Sequence, residues 1–250
     1  MNFGIIADGN RRWARKNGRK IADGHRAGFR AIRDEILPAL ENSDFSAATI
    51  YAFSTENWGR SIFEVRNLMK IFHEFIDEFL PRAQQKNYQF FWAGRRNRVP
   101  QILKKKLENA EKILAKNSGL KIFLCLDYGG RDEILRTFSK IFAEKKIQKI
   151  SKISEKFFSE NLEIPNLDAV FRSGGERRIS NFCIWQSAYS EFFFTEKFLP
   201  EIKKFDIEKI LENFANRERR RGGNWTRILF EKKYFLKFWN NFLKKVAKIF

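Results

Sequence analysis

The stretch FGIIADGNRRWARKNG, residues 3–18, indicates the fold class of this 250-residue chain. Its first five residues, FGIIA, are small or apolar, which is typical of a buried β-strand. Asp8 and Gly9 end this run, and the arginine-rich segment after them is expected to begin a helix. A strand that leads into a helix is the repeating unit of parallel α/β folds, so the same unit is expected further along.

The rest of the chain repeats this alternation. Five further apolar runs predict strands, at residues 47–54, 88–94, 120–128, 167–173 and 191–196. Helical spacing of apolar residues predicts helices near 25–41, 61–86, 98–116, 130–147 and 205–220. The Lys- and Ser-rich stretch 144–160 is interpreted as a connection. The pattern predicts a single α/β domain with a mostly parallel central sheet flanked by helices.

The composition indicates a globular protein with a strongly basic surface. Hydrophobic residues make up 43% of the chain and charged residues 32%, and the formal net charge is +19. Such a charge attracts nucleic acid, anionic lipid or phosphorylated small molecules, and it does not choose among them. A lysine-rich solvated surface is the simpler alternative. The 28 Phe against 5 Tyr predict a Phe-packed core or an apolar cavity.

The cysteines and the apolar runs bear on the compartment. Cys125 and Cys183 lie far apart and form neither a metal-type pair nor a disulfide framework, which favours a reducing cytoplasm. No apolar run approaches the roughly 18 residues that a membrane-spanning helix requires. Because the first strand begins at residue 3, no signal peptide is expected.

Polar residues follow three of the predicted strands. Asp8, Ser54 and Arg172 each lie where a strand ends. In parallel α/β sheets ligands bind at the carboxyl ends of the strands, so these side chains are expected at one edge.

The first of these segments, Asp8-Gly9-Asn10-Arg11-Arg12-Trp13, combines an acid with two arginines. Gly9 permits a tight turn, and Arg12 can bind phosphate with two parallel hydrogen bonds. A carboxylate repels phosphate unless a cation lies between them, and Mg2+ takes one or two carboxylates together with phosphate oxygens. The segment therefore predicts a metal-bridged diphosphate site. A surface turn in which Asp8 pairs with its own arginine is an equal alternative.

The second segment, YAFSTENWGR at residues 51–60, places Ser54, Thr55, Glu56 and Asn57 just past a strand. A hydroxyl and an amide can hold a substrate, and Trp58 can wall an apolar group. Taken alone, the segment is better explained as turn and N-cap chemistry before the next helix.

The third segment, FRSGGERRISNF at residues 171–182, predicts a second anion site. Arg172, Arg177 and Arg178 flank a Gly-Gly pair, and three like charges so close together need a counterion. The spacing is not that of a nucleotide-binding P-loop. Glu191, an acid at an otherwise apolar strand, requires a partner or a metal. Two anion sites and an apolar reservoir indicate substrates with phosphate heads and apolar tails.

Several long motifs in fixed order resemble the cis-prenyltransferases, and among them the bacterial undecaprenyl diphosphate synthases. The motifs are DGNRRWARKNG, GHRAG, YAFSTENWGR, YGGR, FRSGGERRISNF, WQSAYSEFFFT and FANRERRRGG, and they extend over roughly residues 3–223. The trans-prenyl synthases instead use paired Asp-Asp-x-x-Asp motifs on an all-helical fold, and no such motif occurs in this sequence.

The resemblance implies a magnesium-dependent homodimer with an apolar tunnel. It would add isopentenyl diphosphate repeatedly to an allylic diphosphate, usually farnesyl diphosphate, with new double bonds cis. It implies that Asp8 is the catalytic acid and a metal ligand, that Glu191 is a second metal ligand, and that Asn57 assists proton removal. The implied substrate contacts are Gly9, Asn10, Arg11, Arg12, Trp13, His25, Ser54, Thr55, Glu56, Trp58, Arg60, Arg172, Arg178 and Ser180. Arg220, Arg221 and Gly222 resemble the family's terminal Arg-x-Gly element.

Three positions depart from the family pattern. Ile21 stands at a substrate-contact position where Arg is frequent, and Lys20 is a candidate substitute. Arg177 replaces a His that can ligate metal in some relatives. Asp127 precedes YGGR where Asn is usual, and the sequence offers no functional reason for that change.

The sequence predicts a catalytic domain at residues 1–223 and a basic amphipathic helical extension at 224–250. The extension suits an anionic membrane surface, which favours a cytoplasmic enzyme at the inner face of the membrane; docking against the domain or a dimer partner is an equal alternative. The apolar stripe from Val65 to Leu80, with the strand near 88–93, is expected to wall the tunnel, although most of it can equally be core. The alternatives in function are a cis-prenyltransferase with a shorter product and a basic nucleic-acid-binding protein. No nucleic acid is expected, because the motifs lie at strand ends.

Overall fold

The computed structural model describes residues 1–144 and 153–217. Residues Met1–Phe214 form one compact unit, and Ala215 begins a second unit of which residues 215–217 are described. The predicted extension 224–250, the Arg220-Arg221-Gly222 element and the ends of the helices predicted to reach 147 and 220 lie outside the described residues.

Six strands form one sheet in the order β3-β4-β2-β1-β5-β6. They are β1 (Asn2–Ile6), β2 (Ala47–Ser54), β3 (Gln89–Ala93), β4 (Lys121–Tyr128), β5 (Ala169–Arg172) and β6 (Glu191–Phe194). Every neighbouring pair is parallel, which confirms the predicted α/β class. The predicted strands differ from these bounds by at most two residues at either end, because apolar residues continue beyond the hydrogen-bonded ladder.

Helices occupy the connections between the strands. They are α1 (Asn10–Lys16), α2 (Ile21–Ala31), α3 (Leu37–Glu41), α4 (Ile62–Gln85), α5 (Gln101–Leu114), α6 (Gly130–Ala143), α7 (Glu155–Asn161) and α8 (Lys204–Ala215). A π-helical turn, Ile32–Ile36, joins α2 to α3, and the segment predicted as one helix near 25–41 is therefore three pieces.

The interpretation of 144–160 as a connection is wrong at its end, where α7 forms. Ser154 caps this helix by accepting a hydrogen bond from the N–H of Phe157 at 3.1 Å. One short helix carries too little periodicity to stand out from a Lys- and Ser-rich composition.

Phenylalanine rings fill the space between α2, α4 and the sheet. The ring centroid of Phe72 on α4 lies 5.3 Å from that of Phe29 and 6.2 Å from that of Phe53. The predicted apolar stripe of α4 is mostly core, since Val65, Leu68, Met69, Phe72, Phe75, Ile76 and Phe79 are all buried. The sequence-based expectation of a Phe-packed core is confirmed.

The parallel register brings the ends of three strands together. Ile6 of β1 lies opposite Tyr51 of β2 on one side and Arg172 of β5 on the other. The residues that follow these strands therefore share the carboxyl edge of the sheet, as the sequence predicts. Among the described residues, no helix combines the length and the apolar character needed to cross a membrane.

Candidate active site

The main chain of Asp8 is fastened to the end of β5. The hydroxyl of Ser173 accepts a hydrogen bond from the N–H of Asp8 at 3.2 Å and donates one to its carbonyl oxygen at 2.7 Å. The N–H of Leu199 donates to the same carbonyl at 3.1 Å. These contacts hold the backbone of Asp8 in place independently of its side chain.

The carboxylate of Asp8 lies between two arginine side chains and a backbone N–H group. Arg172 Nη2 donates to Oδ2 at 2.9 Å, the N–H of Gly9 donates to Oδ1 at 2.6 Å, and Arg12 Nη2 lies 3.2 Å from Oδ1. Burial raises the pKa of Asp8, but these hydrogen bonds and the charges of the two arginines outweigh it and lower the pKa below its usual value. Asp8 is therefore ionised at neutral pH.

Two glycines permit the close approach of the turns around Asp8. Gly9 has φ +93°, and a Cβ there would lie 2.7 Å from a ring carbon of Phe198. Gly174 has φ +86°, and its Cβ would lie 2.8 Å from Arg12 Nη2 and 3.2 Å from the carbonyl carbon of Asp8. A side chain at either position would strain the backbone and push the Asp8 turn away from β5.

A cavity of about 370 Å³ opens beside Asp8 and is lined by four arginines. Its lining residues are Ala7, Asp8, Gly9, Asn10, Arg11, Arg12, Arg15, His25 and Arg60. Arg60 and Arg11 share the carboxylate of Glu64, at 2.9 Å and 3.5 Å respectively. Because four guanidinium groups face one space, the cavity is suited to a polyanionic group such as a diphosphate.

A second cavity, of about 280 Å³, shares Asp8, Asn10, His25 and Arg60 with the first. Its polar side also includes Arg172, Arg178, Ser180, Ser54 and Asn57, which the sequence singled out. Arg172 Nη1 donates to Ser180 Oγ at 2.9 Å and also to the carbonyl oxygen of Arg178. The Arg178 side chain is 60% exposed and pairs with Glu176. The two predicted anion sites are therefore neighbours.

Two further cavities, of about 220 Å³ and 140 Å³, lie along α2 and α4. Leu68 lines both the 280 Å³ and the 220 Å³ cavity, and Ile71 lines both of the cavities along the helices. Ile21 lines the 220 Å³ cavity and supplies no cation to the 370 Å³ cavity. Leu68 and Ile71 thus mark a path that leads away from Asp8, and polar or charged side chains such as Asn67 and Arg26 line the same path.

His25 and Asn10 present polar atoms without partners at the cationic cavities. His25 Nε2 and Asn10 Oδ1 are buried and make no hydrogen bond. Burial, together with the charges of Arg60 and Arg11 and against the opposing charge of Glu64, lowers the pKa of His25 to about 4. A neutral imidazole nitrogen and an amide oxygen are therefore left without protein partners beside these cavities.

The segment after β2 forms a 3-10 turn, Thr55–Gly59, closed by its own side chains. Asn57 Oδ1 accepts a hydrogen bond from the N–H of Ser54 at 3.2 Å, which bears out the N-cap interpretation. Glu56 Oε1 accepts one from Asn181 Nδ2 at 2.7 Å, and Thr55 Oγ1 packs against Gly129. Ser54 and Asn57 nevertheless also line the 280 Å³ cavity.

Trp58 packs beside the core, and its predicted substrate contact stays a prediction. Its ring packs against Phe53, with centroids 5.2 Å apart, and its indole N–H donates to the buried Asp127 at 2.9 Å. An aromatic residue after a strand can face either the core or a site, and here it faces the core. Trp13 is half-buried, with the Arg19 guanidinium 5.9 Å from its ring centroid.

Within one chain Glu191 does not lie beside Asp8, and its role as a metal ligand stays a prediction. Glu191 pairs with Ala169 at the amino end of β6, whereas Asp8 follows the carboxyl end of β1. The two carboxylates therefore lie at opposite edges of the sheet. Within residues 1–144 and 153–217, no group of three or more His, Cys, Asp and Glu side chains is arranged to hold a metal.

Sequence reasoning missed Ser173, Asn181 and Arg15. Ser173 and Asn181 directly follow Arg172 and Ser180, so applying the strand-end rule to the next residue would have found them. Arg15 lies four residues after Arg11 on α1 and lines the same cavity, which helical spacing could have indicated.

Comparison with known sequences gives a consistent match. A family model for putative undecaprenyl diphosphate synthase matches residues 6–222. An isoprenyl transferase of Fusobacterium nucleatum is 38% identical over 224 residues, which are 89% of this chain and 95% of that protein. The (2E,6E)-farnesyl-diphosphate-specific ditrans,polycis-undecaprenyl-diphosphate synthase of Escherichia coli K12 is 38% identical over 225 residues, 88% of each chain.

Two solved structures resemble the fold over almost their whole length. Lavandulyl diphosphate synthase from Lavandula x intermedia, in complex with dimethylallyl diphosphate, gives a TM-score of 0.84 at 32% identity, over 88% of this chain and 97% of its own. A probable undecaprenyl diphosphate synthase from Campylobacter jejuni gives 0.76 at 27% identity, with the same coverage.

Proposed function

Because the chain belongs to the undecaprenyl diphosphate synthase family of prenyltransferases, we propose that it condenses isopentenyl diphosphate repeatedly onto farnesyl diphosphate to give undecaprenyl diphosphate. One observation carries this proposal. Two cation-lined cavities adjoin at Asp8, and a path along α2 and α4 that includes Leu68 and Ile71 leads away from them. Two diphosphate heads and one growing prenyl chain require this arrangement.

The allylic diphosphate binds in the 370 Å³ cavity. Arg11, Arg12 and Arg60 supply guanidinium groups, and the backbone around Gly9 and Asn10 lets the phosphates approach closely. The unpartnered Asn10 Oδ1 accepts hydrogen bonds from the water shell of this substrate, and His25 Nε2 donates to the substrate when it carries the ring proton. Its prenyl tail enters the gap lined by Leu68 and Ile71.

Isopentenyl diphosphate binds at Arg172, Arg178 and Ser180. Arg172 is fixed by Asp8 and Ser180, whereas the side chain of Arg178 is exposed and pairs with the exposed Glu176. Arg178 is therefore the side chain that turns toward an incoming diphosphate at least cost, while Arg172 keeps the site in shape.

The reaction breaks the C–O bond between the allylic carbon and its diphosphate, which leaves with the electron pair. The alkene of isopentenyl diphosphate forms the new C–C bond, and a proton then leaves the resulting cation. Asn57 is an amide and a weak base, so it orients the reacting groups from the wall of the cavity while the departing diphosphate accepts the proton. The arginines around Asp8 stabilise the charge that develops on the leaving group.

Magnesium is the cofactor in this proposal, and Asp8 is its protein ligand. The ionised carboxylate of Asp8 fits a cation that takes one carboxylate and completes its shell with phosphate oxygens and water. When bound, the ion supplies positive charge against the leaving diphosphate. Arg172 and Arg12 hold Asp8 in the ionised form that such an ion requires.

A shorter polyprenyl diphosphate is the second candidate product. The similarity to lavandulyl diphosphate synthase, at a TM-score of 0.84, supports it, because that fold also serves an enzyme bound to the short dimethylallyl diphosphate. The similarity to the undecaprenyl-diphosphate synthase of Escherichia coli favours the longer product.

The proposal extends to assembly and location. A homodimer is supported by β6, which in the described part of the chain pairs with β5 alone and has the exposed Tyr189 and Phe194 beside it. A reducing cytoplasmic compartment is supported by the free, buried Cys125 and Cys183. Peripheral contact of the 224–250 extension with an anionic membrane rests on its sequence.

The direct test incubates the purified enzyme with farnesyl diphosphate, labelled isopentenyl diphosphate and magnesium. The extracted lipid is dephosphorylated and its chain length is compared with an undecaprenol standard. A product that co-migrates with undecaprenol is expected, and a shorter ladder would support the second candidate. Absence of any extractable labelled lipid would contradict the proposed function, and omission of farnesyl diphosphate is the control.

A further inference from the structure

Asp127 is a fully buried acid near the end of β4, with 0% of its side chain exposed. Its backbone has φ +55°, a left-handed conformation that Asp and Asn tolerate better than most residues. Burying a carboxylate costs much free energy unless charged or polar partners compensate it. The side chain therefore needs partners, and the sequence motifs do not indicate which residues these are.

The partners of Asp127 come from two distant parts of the chain. Trp58 Nε1 donates to Oδ1 at 2.9 Å, and Arg98 Nε donates to Oδ2 at 2.9 Å. Arg98 Nη2 also donates to Oδ1. Both carboxylate oxygens are thereby used. An Asn would offer one acceptor oxygen and would turn N–H groups toward the guanidinium, so the acid and Arg98 form a matched pair.

These contacts fix the ring of Trp58 on three sides. Phe53 packs against it nearly at right angles, and the Arg98 guanidinium lies 5.5 Å from the ring centroid. Asp127 holds the indole N–H. Trp58 belongs to the turn Thr55–Gly59, and Asn181 holds the other part of that turn through Glu56.

The turn carries Asn57, whose side chain lines the 280 Å³ cavity. The residues that line this cavity in the described part of the chain do not include Asp127 or Arg98. We propose that Asp127 and Arg98 are positioning residues, which set Trp58 and through it place Asn57 against the reacting groups. This inference rests on the proposed function, because the reaction that a misplaced Asn57 would slow is the proposed condensation.

The test combines Asp127→Ala with Trp58→Phe, which keeps an aromatic ring beside Phe53 but removes the N–H donor and reduces the ring size. We expect Asp127→Ala to lower kcat by about 10- to 100-fold, because small misplacements of reacting groups cost up to about that much. The KM of each diphosphate is expected to change less than about threefold, since the arginines of both cavities are untouched. Asp127→Asn keeps an acceptor for the indole but turns N–H groups toward Arg98, so its kcat is expected to lie between those of Asp127→Ala and wild type.

The double variant separates positioning from general damage. If Asp127 acts through Trp58, the double variant Asp127→Ala with Trp58→Phe is expected to have nearly the same kcat as the less active of the two single variants. Strictly multiplicative losses would overturn the proposal. So would a normal kcat per folded molecule in Asp127→Ala, because the pair would then serve stability alone.

Arg95→Met is the matched control, since Arg95 precedes Arg98 in the same connection but pairs with Asp132.

Amide hydrogen exchange adds a readout that needs no turnover, and Arg98→Lys covers the case in which Asp127→Ala does not fold. We expect faster exchange at residues 55–59 in Arg98→Lys and no change there in Arg95→Met. Unchanged exchange at residues 55–59 in Arg98→Lys would overturn the proposal. A wild-type enzyme that makes no lipid would reject the proposed function, while the exchange result would still judge the positioning role.

Discussion

Replacement of Asp8 by Ala tests the electrostatic account of the site most directly. In the wild-type chain the carboxylate accepts hydrogen bonds from Arg172 and Gly9 and lies 3.2 Å from Arg12. It is therefore a preorganised negative charge at the point where the two cavities adjoin, and in the proposed function it would hold the magnesium ion that offsets the charge of the leaving diphosphate. Removal of one preorganised stabiliser typically lowers kcat by about 100- to 1,000-fold, or roughly 3–4 kcal/mol of activation free energy.

The same replacement should leave substrate binding largely intact. Without Asp8, Arg172 loses its partner but keeps its 2.9 Å hydrogen bond to Ser180. Its side chain is only 5% exposed, so its charge remains focused on the cavity where isopentenyl diphosphate binds. We expect the KM of isopentenyl diphosphate to stay within about threefold of wild type while kcat falls.

The assay measures initial rates of labelled isopentenyl diphosphate incorporation into extractable lipid, at saturating substrates and magnesium. Asp132→Ala is the control, because Asp132 is also held by two arginines, Arg95 and Arg136, but lies on α6. Its kcat is expected to match wild type. A turnover of Asp8→Ala within about tenfold of wild type would refute the role given to this carboxylate.

Three further predictions follow from other parts of the site. Arg178→Ala should raise the KM of isopentenyl diphosphate by about tenfold with a smaller change in kcat, and steady-state kinetics showing a defect selective for farnesyl diphosphate would argue against the assignment. Ile71→Trp should shorten the lipid product, whereas Lys70→Trp on the exposed side of α4 should not; identical product lengths by chromatography would reject the path along α2 and α4. Burial, reinforced by Arg60 and Arg11, lowers the pKa of His25 from 6.5 to about 4, so the unfolded chain binds this proton at higher pH and the free energy of unfolding falls as pH drops through that window. This contribution amounts to about 3 kcal/mol, and urea unfolding of His25→Gln from pH 7 to pH 4 should show a shallower decline than wild type.

The strand ends show what the sequence could predict. Asp8, Ser54 and Arg172 were expected at one edge because each follows an apolar run, and parallel strands deliver their ends to the same place. That inference needs only the alternation of elements and no knowledge of side-chain contacts. The packing of α4 followed equally from its helical spacing.

Side-chain direction was harder to predict. Trp58 and Glu191 both lie beside strands, and their residue types suited a site. Trp58 turns to the core because Asp127, far away in sequence, accepts its N–H. Glu191 is the first residue of β6, whereas Asp8 follows the last residue of β1. Strand boundaries must be known to within a residue or two to distinguish these two positions.

The bonds between Asp8 and Ser173 join residues that are 165 positions apart in the chain. During synthesis, β1 and β2 leave the ribosome early, whereas β5 emerges after about two thirds of the polypeptide has been made. Until then one side of β1 lacks its neighbour, and Phe3 and Ile5 lack part of their cover. A nascent chain that ends before β5 therefore contains the whole DGNRRW motif but lacks the contacts that order the Asp8 carboxylate. It also exposes the unpaired edge of β1, which is prone to aggregation.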